Sequence, residues 1–145
     1  MTNSSKTKLT YIFWFAITIM VIITLICSEG YKIPITGPLM KVEIKNNNTY
    51  ILDVHCKSAD DDIGSRALKN GESYRWQFYV NFFNSTLYFC EFHQGKVTKG
   101  VFDIYDALRD FKRCTRCTWM AETDGLYGFS EKKPPPAAVF YKWLK

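Results

Sequence analysis

The sequence has little glycine and little proline, with 8 glycines and 5 prolines among 145 residues. This composition excludes a collagen-like chain, which needs glycine at every third position. Internal repeats and long heptad patterns are also missing, which excludes a coiled coil. Charged residues make up only 23% and hydrophobic residues 47% of the chain, whereas disordered chains combine high charge with low hydrophobicity. The length is that of one globular domain.

The net charge of +5 is modest, with 19 basic and 14 acidic residues. Two of the basic residues, Lys6 and Lys8, lie in an N-terminal segment that we expect to be removed. Without them 17 basic residues face 14 acidic ones, which leaves a net charge of +3. Such a small excess does not indicate a nucleic-acid partner.

The N-terminal segment passes from a polar start into an apolar run, Tyr11–Cys27, and then into small and polar residues. This order predicts a secretory signal peptide at residues 1–28, with cleavage after Ser28 or as late as Gly30. The alternative is a signal anchor, because about 17 apolar residues reach the lower limit of a membrane-spanning helix. The short run and the two lysines before it favour the cleaved peptide. We therefore expect a secreted, extracellular domain at residues 29–145, with no stable membrane insertion.

Cysteine usage agrees with secretion. Cys27 would leave with the signal peptide, and four cysteines remain: Cys56, Cys90, Cys114 and Cys117. An even number in a secreted domain predicts two disulfides. A zinc site that combines Cys114-x-x-Cys117 with His55, Cys56 or His93 is the alternative. The second candidate pair, His55-Cys56, is adjacent, however, and cannot easily place both side chains on one metal. A redox role is excluded because no βαβ pattern surrounds the CxxC.

The spacing of the cysteines suggests a connectivity. If Cys117 continues the strand that contains Trp119, the side chains of Cys114 and Cys117 point to opposite faces and pair poorly. Cys56 and Cys117 both lie on apolar strand faces. We therefore predict the disulfides Cys56–Cys117 and Cys90–Cys114.

Short stretches of alternating apolar and polar residues predict seven or eight strands. The first two, at 41–45 and 50–56, are expected to form a hairpin across the Asn46–Asn48 turn. Residues 57–72 are rich in aspartate, asparagine and glycine and are predicted to form a loop, and residues 106–112 a helical turn or two. The remaining strands are predicted at 73–80, 86–92, 101–105, 117–121, 126–129 and 139–143. This pattern favours an all-β fold, an antiparallel β-sandwich or barrel.

A series of motifs between Met40 and Trp143 resembles the plant self-incompatibility S-protein homologue family in residue type, order and spacing. The motifs are His55-Cys56-Lys57-Ser58, Asp60-Asp61-Asp62-Ile63-Gly64, Tyr74-x-Trp76-x-Phe78, Thr86-Leu87-Tyr88-x-Cys90, Cys114-x-x-Cys117-x-Trp119 and Asp124-Gly125-Leu126-Tyr127. The resemblance implies a small secreted plant protein with four cysteines and a β-sandwich fold. The founding members of the family are stigma proteins that a pollen receptor recognises. A signalling ligand is thus implied, and self-incompatibility itself only by analogy.

For such a ligand we expect a cell-surface receptor protein as the partner and a monomeric state. The polar and charged residues concentrate in three predicted loops, Lys57–Glu72, Gln94–Gly100 and Asp106–Arg116. The predicted receptor-binding residues are Asp60, Asp61, Asp62, Lys96, Arg109, Lys112, Arg113 and Arg116. Charge swaps there, such as Asp61→Lys or Arg113→Glu, are expected to leave folding nearly unchanged.

Two of these clusters have other interpretations. The aspartate triplet lacks the alternating ligands and distant glutamate of a calcium loop, so a solvated loop is the simpler interpretation. The basic cluster between Arg109 and Arg116 suits an acidic partner or a cell-wall polysaccharide, although charges that simply face water are commoner. No cofactor or metal is expected.

The alternative function is a small secreted enzyme such as a ribonuclease. The chain has two histidines, His55 and His93, each near a lysine, Lys57 or Lys96. Such a pair is suited to general acid and base catalysis of RNA cleavage. No companion motif supports the pair, and His55 adjoins a disulfide cysteine, so we expect no enzymatic activity.

Two N-glycosylation sequences lie at predicted turns, where a glycan needs to be. They are Asn47-Asn48-Thr49 and Asn84-Ser85-Thr86. We therefore predict Asn47 and Asn84 as glycan attachment sites.

Overall fold

The structure is a computed structural model that describes residues 3–28, 37–132 and 139–145. The chain divides into two units, residues 1–34 and residues 35–145. In the first unit the apolar run forms helix α1 (Asn3–Ser28). None of the helices in the described ranges has both the length and the hydropathy required to cross a membrane. The later of the two predicted cleavage positions, after Gly30, lies outside the described residues.

The second unit consists of short strands and one helical turn. Its elements are β1 (Leu39–Asn46), β2 (Leu52–Lys57), β3 (Asp62–Leu68), β4 (Ser73–Tyr79), β5 (Leu87–Gln94), β6 (Val97–Asp106), α2 (Ala107–Asp110), β7 (Arg116–Ala121), β8 (Gly125–Ser130) and β9 (Val139–Lys142). The described part of the chain thus has nine strands rather than the seven or eight predicted. The helical turn predicted at 106–112 is confirmed.

The strands form two sheets. Sheet A has the strand order β4-β1-β7-β8-β9, and sheet B has the order β3-β2-β5-β6. Strands β1 and β7 pair in parallel, whereas the other described pairs are antiparallel. The predicted all-β sandwich is therefore confirmed, and six of the seven described strand pairs are antiparallel, with β1–β7 as the parallel exception.

The predicted hairpin between the first two strands was wrong, because β1 lies in sheet A and β2 in sheet B. The asparagine run that suggested a turn connects the two sheets. The side chain of Asn46 is buried, and its Nδ2 donates to the carbonyl oxygens of Tyr50 and Leu68, both at 2.8 Å. Asn46 and Asn48 are thus buried at the edge of the core, whereas Asn47 between them is exposed.

Strand β3 occupies a segment predicted to be a loop. It forms one edge of sheet B and pairs with β2, with Leu52 opposite Leu68. Most of its side chains are exposed, because an edge strand needs few apolar residues. Gly64 has a φ of 93°, a conformation that glycine adopts readily and other residues rarely. It pairs with Cys56, next to the point where the register of β2 and β3 shifts between Cys56 and Lys57. The polar composition that indicated a loop therefore reflects an exposed edge.

The inward faces of both sheets form the core, which includes Val42, Ile44, Leu52, Val54 and Phe92. Alternating buried and partly exposed positions along β1, β2 and β5 produce these inward faces. Burying such side chains contributes roughly 1.5–3 kcal/mol each. The indole Nε1 of Trp119 in sheet A donates to the Ile104 carbonyl in sheet B at 2.9 Å, so a hydrogen bond also joins the two layers.

The disulfides are Cys56–Cys90 and Cys114–Cys117, so both predicted pairings were wrong. Cys56 and Cys90 lie directly opposite each other on the neighbouring strands β2 and β5, whereas Cys117 lies in the other sheet. The argument against Cys114–Cys117 assumed that both residues continue one strand. Strand β7 begins only at Arg116, and the Cys114 N–H bonds the Asp110 carbonyl, so strand alternation does not govern its side chain.

Candidate receptor-binding surface

Three chain segments meet at one end of the sandwich. They are residues 58–61, 80–86 and 107–115, which we call the loop end. The Ala107 N–H donates to the Thr86 carbonyl at 3.0 Å, which joins two of the segments. Residues 58–61 and 85–89 line a concavity of about 440 Å³, so the third segment, 58–61, borders the same surface. Segments far apart in the sequence therefore present one continuous surface.

The acidic loop 58–61 has a fixed backbone. The Ser58 hydroxyl accepts from the Asp61 N–H at 2.9 Å, and the Ser58 N–H donates to the Asp61 carbonyl at 2.7 Å. The Tyr88 hydroxyl donates to Oδ2 of Asp61 at 3.2 Å. Burial, followed by this contact with Asp61, raises the pKa of Tyr88. Asp60 and Asp61 are exposed, as predicted for residues that contact a partner.

The third predicted aspartate, Asp62, has a different setting because it begins β3. Its Oδ1 accepts from the Gly64 N–H at 2.8 Å and lies 2.8 Å from Nε2 of His55. The hydrogen bond with His55 is the main reason that the pKa of Asp62 is lowered. Asp62 therefore belongs in part to the outer face of sheet B.

An exposed aromatic pair, Phe82 and Phe83, lies in loop 80–86. The two side chains are 73% and 83% exposed, and their rings meet edge to face with centroids 5.6 Å apart. The pair was not among the predicted site residues. A pattern in the sequence would have identified the pair: two adjacent apolar residues lie between two asparagines, where the alternation of a strand is interrupted.

Hydrogen bonds hold this loop in one conformation. The Asn84 N–H donates to the Asn81 carbonyl at 3.1 Å, and the Ser85 N–H donates to Oδ1 of Asn81 at 2.8 Å. The Asn81 N–H donates to the Thr86 hydroxyl at 2.9 Å. The two phenylalanines are therefore displayed on a fixed turn.

Two of the predicted basic residues, Arg109 and Arg113, face a buried carboxylate instead of solvent. Asp110 is 0% exposed and accepts from Arg109 Nη2 at 2.7 Å, from Arg113 Nε at 2.6 Å and from the Asp106 N–H at 3.0 Å. Burial by itself would raise the pKa of Asp110, but the hydrogen bonds from the two arginines outweigh it and lower the pKa. The expectation that Arg113 is a free loop charge was therefore wrong.

The same cluster packs against aromatic rings. The Arg109 guanidinium lies 5.6 Å from the ring centroid of Trp119 and 5.9 Å from that of Tyr141. Burial and the charges of Asp110 and Asp106 raise the pKa of Tyr105 to about 12. The cluster is thus a structural anchor that fixes segment 107–115 on the core.

The other predicted basic residues are dispersed. Lys112 is exposed at the loop end, whereas Arg116 begins β7 and lies on the outer face of sheet A. Lys96 lies in the β5–β6 turn, at the opposite end of the sandwich from loop 80–86, because β5 runs between the two. The structure therefore places Asp60, Asp61 and Lys112 at the loop end of the sandwich and separates Lys96 and Arg116 from them.

The two histidines lie on the outer face of sheet B. His55 is opposite Glu91 and His93 is opposite Asp53 on the paired strands β2 and β5. Nε2 of His93 lies 2.9 Å from Glu91 Oε1. The shallow concavity around them, about 390 Å³, is lined by two carboxylates, Asp53 and Glu91, and one arginine, Arg66, so it lacks the excess of positive charge that would attract an RNA phosphate. Within the described ranges, no group of three or more histidine, cysteine, aspartate or glutamate residues could hold a metal ion.

The two predicted glycan acceptors are exposed. Nδ2 of Asn47 donates to both carboxylate oxygens of Glu122, at 2.8 and 3.0 Å. Asn84 lies next to the aromatic pair and has a positive φ of 52°, which asparagine tolerates better than most residues. A glycan on Asn47 would replace at least one of its two hydrogen bonds to Glu122, because it attaches to the same Nδ2.

Comparisons with known proteins agree with this architecture. Residues 41–143 match the family described as plant self-incompatibility protein S1. S-protein homolog 24 of Arabidopsis thaliana is 52% identical, with full coverage of both chains. Self-incompatibility protein S1 of Papaver rhoeas is 34% identical over 66% of this chain and 71% of its own. These names are not enzyme names.

A solved structure supports the fold separately. It is a self-incompatibility protein homologue (SPH), of a group described as small, highly stable, secreted proteins from plants. It superimposes with a TM-score of 0.55 at 24% identity, covering 75% of this chain and 97% of the other. At this identity the likeness establishes the β-sandwich fold.

Proposed function

Because the chain belongs to the plant self-incompatibility protein S1 family, whose members are secreted plant proteins, we propose that it is an extracellular signalling ligand recognised by a cell-surface receptor protein. The loop end is the receptor-binding surface. The observation that carries the proposal is the exposed pair Phe82–Phe83 on a hydrogen-bonded turn. The protein does no chemistry in this role.

The aromatic pair is suited to anchor a partner. Large apolar side chains gain free energy when a complex removes them from water, at about 25 cal/mol per Å². Because loop 80–86 is already ordered, binding costs little further conformational entropy. A few such aromatic anchors usually contribute most of the binding energy of a protein interface.

The charges around the pair provide selectivity. Asp60 and Asp61 lie on one side of the concave surface beneath loop 80–86, and the exposed Lys112 extends from the neighbouring segment. Exposed charges at the edge of an interface mainly change association rates and partner choice. We therefore assign binding energy to Phe82 and Phe83 and partner discrimination to the charges.

The test measures binding of fluorescently labelled secreted protein to plant protoplasts. The wild type should bind saturably, with competition by unlabelled protein and loss after protease treatment of the cells. The Phe82→Ser/Phe83→Ser variant should compete at least about tenfold more weakly, as expected for removal of anchor residues. The control, Val97→Ser/Val101→Ser, changes two exposed apolar residues of β6 and should compete like the wild type.

Two results would contradict the proposal. Equal competition by the phenylalanine variant and the wild type would exclude the loop end as the binding surface. Binding that survives protease treatment would exclude a protein receptor. Folding of both variants is checked by urea unfolding, since exposed substitutions should change the free energy of unfolding by about 0.5 kcal/mol or less.

A further inference from the structure

The outer face of sheet A is basic. We call it the basic face and define it by the outward-facing cations of its strands, which are Lys41, Lys45, Arg75, Arg116 and Lys142. Among the outward-facing residues of these five described strands, Glu43 is the one carboxylate. Glu43 accepts from Arg75 at 2.6 Å, and this hydrogen bond is the main reason that its pKa is lowered. The face therefore has a clear excess of positive charge.

Two of these cations lie side by side. Lys41 of β1 and Arg116 of β7 are direct neighbours in the parallel pair, and both are exposed. Neither has an ion-pair partner among the described residues. Like charges on adjacent strands repel each other, so their juxtaposition costs stability unless an anion lies between them.

The surface between these cations is concave. A concavity with a volume of about 580 Å³ lies over strands β4, β1 and β7. Its polar lining residues are Lys41, Glu43, Arg75, Gln77, Arg116 and Thr118. The side-chain amide of Gln77 and the hydroxyl of Thr118 are uncharged. They can form hydrogen bonds with uncharged oxygens of a ligand that lies between the cations. The site thus combines separated positive charges with neutral hydrogen-bonding groups.

Aromatic rings flank this concavity along the same face, of which Tyr79 and Phe140 are exposed and Tyr127 is half-buried. Tyr79, 59% exposed, follows Gln77 on β4 by two residues. On the other side, the rings of Tyr127 and Phe140 pack together with centroids 4.6 Å apart. Flat aromatic faces accept the apolar side of a sugar ring. Cations, neutral polar groups and rings therefore extend across the whole sheet, which suits an extended ligand better than a compact one.

We propose that the basic face binds a linear acidic polysaccharide, a polyuronate with one carboxylate per sugar. The carboxylates lie between Lys41, Arg116 and Arg75, and the sugar hydroxyls bond Gln77 and Thr118. Without Lys6 and Lys8 the net charge of +3 is small for a nucleic-acid binder, but the local excess on one face is suited to a polymer with a single charge per sugar.

The charge distribution orients the protein on such a polymer. The strands of sheet B carry more carboxylates than cations. The carboxylates are Asp53, Asp62, Glu91, Asp103 and Asp106, and the cations are Lys57, Arg66 and Lys99. An acidic polymer is thus attracted to sheet A and repelled by sheet B. Loop 80–86 and its aromatic pair project from the end of the sandwich, so the basic face is separate from the proposed receptor surface except at Tyr79, which also lines the loop-end concavity.

The experiment measures binding of an oligogalacturonate to the secreted protein by isothermal titration calorimetry. Lys41→Glu/Arg116→Glu should weaken binding by at least about tenfold, because it converts the central cations into carboxylates. The matched control is Lys69→Glu/Lys96→Glu, which changes the net charge equally at two exposed positions outside sheet A. The control should bind within about twofold of the wild type.

Further arms test the chemistry of the ligand. A fully methyl-esterified oligomer should not bind, and added salt should weaken binding of the acidic one. Equal loss in the control variant, or binding of the esterified oligomer, would overturn the proposal. Equal or tighter binding of RNA or of anionic phospholipid vesicles would overturn it in favour of those partners. Lys41→Gln/Arg116→Gln, which adds no repulsion, repeats the test if the glutamate variant fails to fold.

Discussion

Arg113 donates its Nε–H to Oδ1 of Asp110 at 2.6 Å, and the side chains of the two residues are only 10% and 0% exposed. Burial of an ionised carboxylate destabilises the folded protein, because the carboxylate loses its hydrating water. Hydrogen bonds from positively charged side chains offset this loss. Arg109 provides the second such partner. The short helix α2 and segment 107–115 are therefore held on the core by charges.

The first prediction concerns this pair. Arg113→Glu should lower the free energy of unfolding by about 3 kcal/mol or more, because it places two carboxylates together in a site without solvent. The neighbouring exposed Lys112→Glu should change it by about 0.5 kcal/mol or less. Urea unfolding of both variants measures the difference. Equal stabilities would mean that Arg113 is a free surface charge after all.

The second prediction concerns acid stability. The pKa of Asp110 is lower in the folded protein than its ordinary value of 3.8, so the ionised carboxylate stabilises the fold above that pH. This stabilisation should disappear as the pH falls through the folded-state pKa, when Asp110 becomes protonated. Asp110→Asn should reduce the slope of unfolding free energy against pH below about pH 4. Asp60→Asn, at an exposed position, is the control, and an unchanged slope in Asp110→Asn would contradict the argument.

The third prediction concerns the disulfides. Cys56–Cys90 joins residues 34 positions apart, and Cys114–Cys117 residues 3 positions apart. The chain-entropy model assigns about 4 kcal/mol to the first and roughly 1.5 kcal/mol to the second. Replacing Cys56 and Cys90 by alanine should therefore destabilise the protein more than replacing Cys114 and Cys117. Non-reducing peptide mapping tests the connectivity, and a peptide joining Cys56 to Cys117 would contradict it.

Local alternation was sufficient to predict most of the strands. The apolar positions of β1, β4 and β7 repeat every second residue because one face of each strand packs in the core. The edge strand β3 escaped prediction because both of its faces tolerate polar residues. The pairing of β1 with β7 was not predicted, because the two strands are far apart in the sequence and a local pattern of residues does not show which distant strand is the neighbour.

The candidate site was only partly predictable. Asp60, Asp61 and Lys112 are polar residues in a connection between strands and are exposed as expected. Arg109 and Arg113 have the same appearance in the sequence, yet their role depends on the burial of Asp110, which only the fold determines. Phe82 and Phe83 were overlooked because apolar residues normally suggest a core. The cysteine pairing depended on a sheet register that was not known.

The fourth prediction concerns glycosylation. Protein secreted by plant cells should carry a glycan on Asn84, whose side chain is exposed on a hydrogen-bonded turn. Asn84→Asp should remove one glycan mass and keep the loop, since aspartate also tolerates a positive φ. Glycopeptide mass spectrometry measures the occupancy, and Asn47→Gln is the parallel variant for the other acceptor. An unmodified Asn84 in the secreted protein would contradict the prediction.

The last prediction separates the ligand from the ribonuclease alternative. His55 and His93 share the outer face of sheet B, but Asp53, Asp62 and Glu91 surround them and repel a phosphate backbone. We therefore expect the purified protein to cleave RNA no faster than an equally prepared control protein. His55→Ala and His93→Ala should bind protoplasts like the wild type, whereas Phe82→Ser/Phe83→Ser should not. RNA turnover that disappears with either histidine variant would instead assign the protein to the enzymes, because general acid and base catalysis requires both groups.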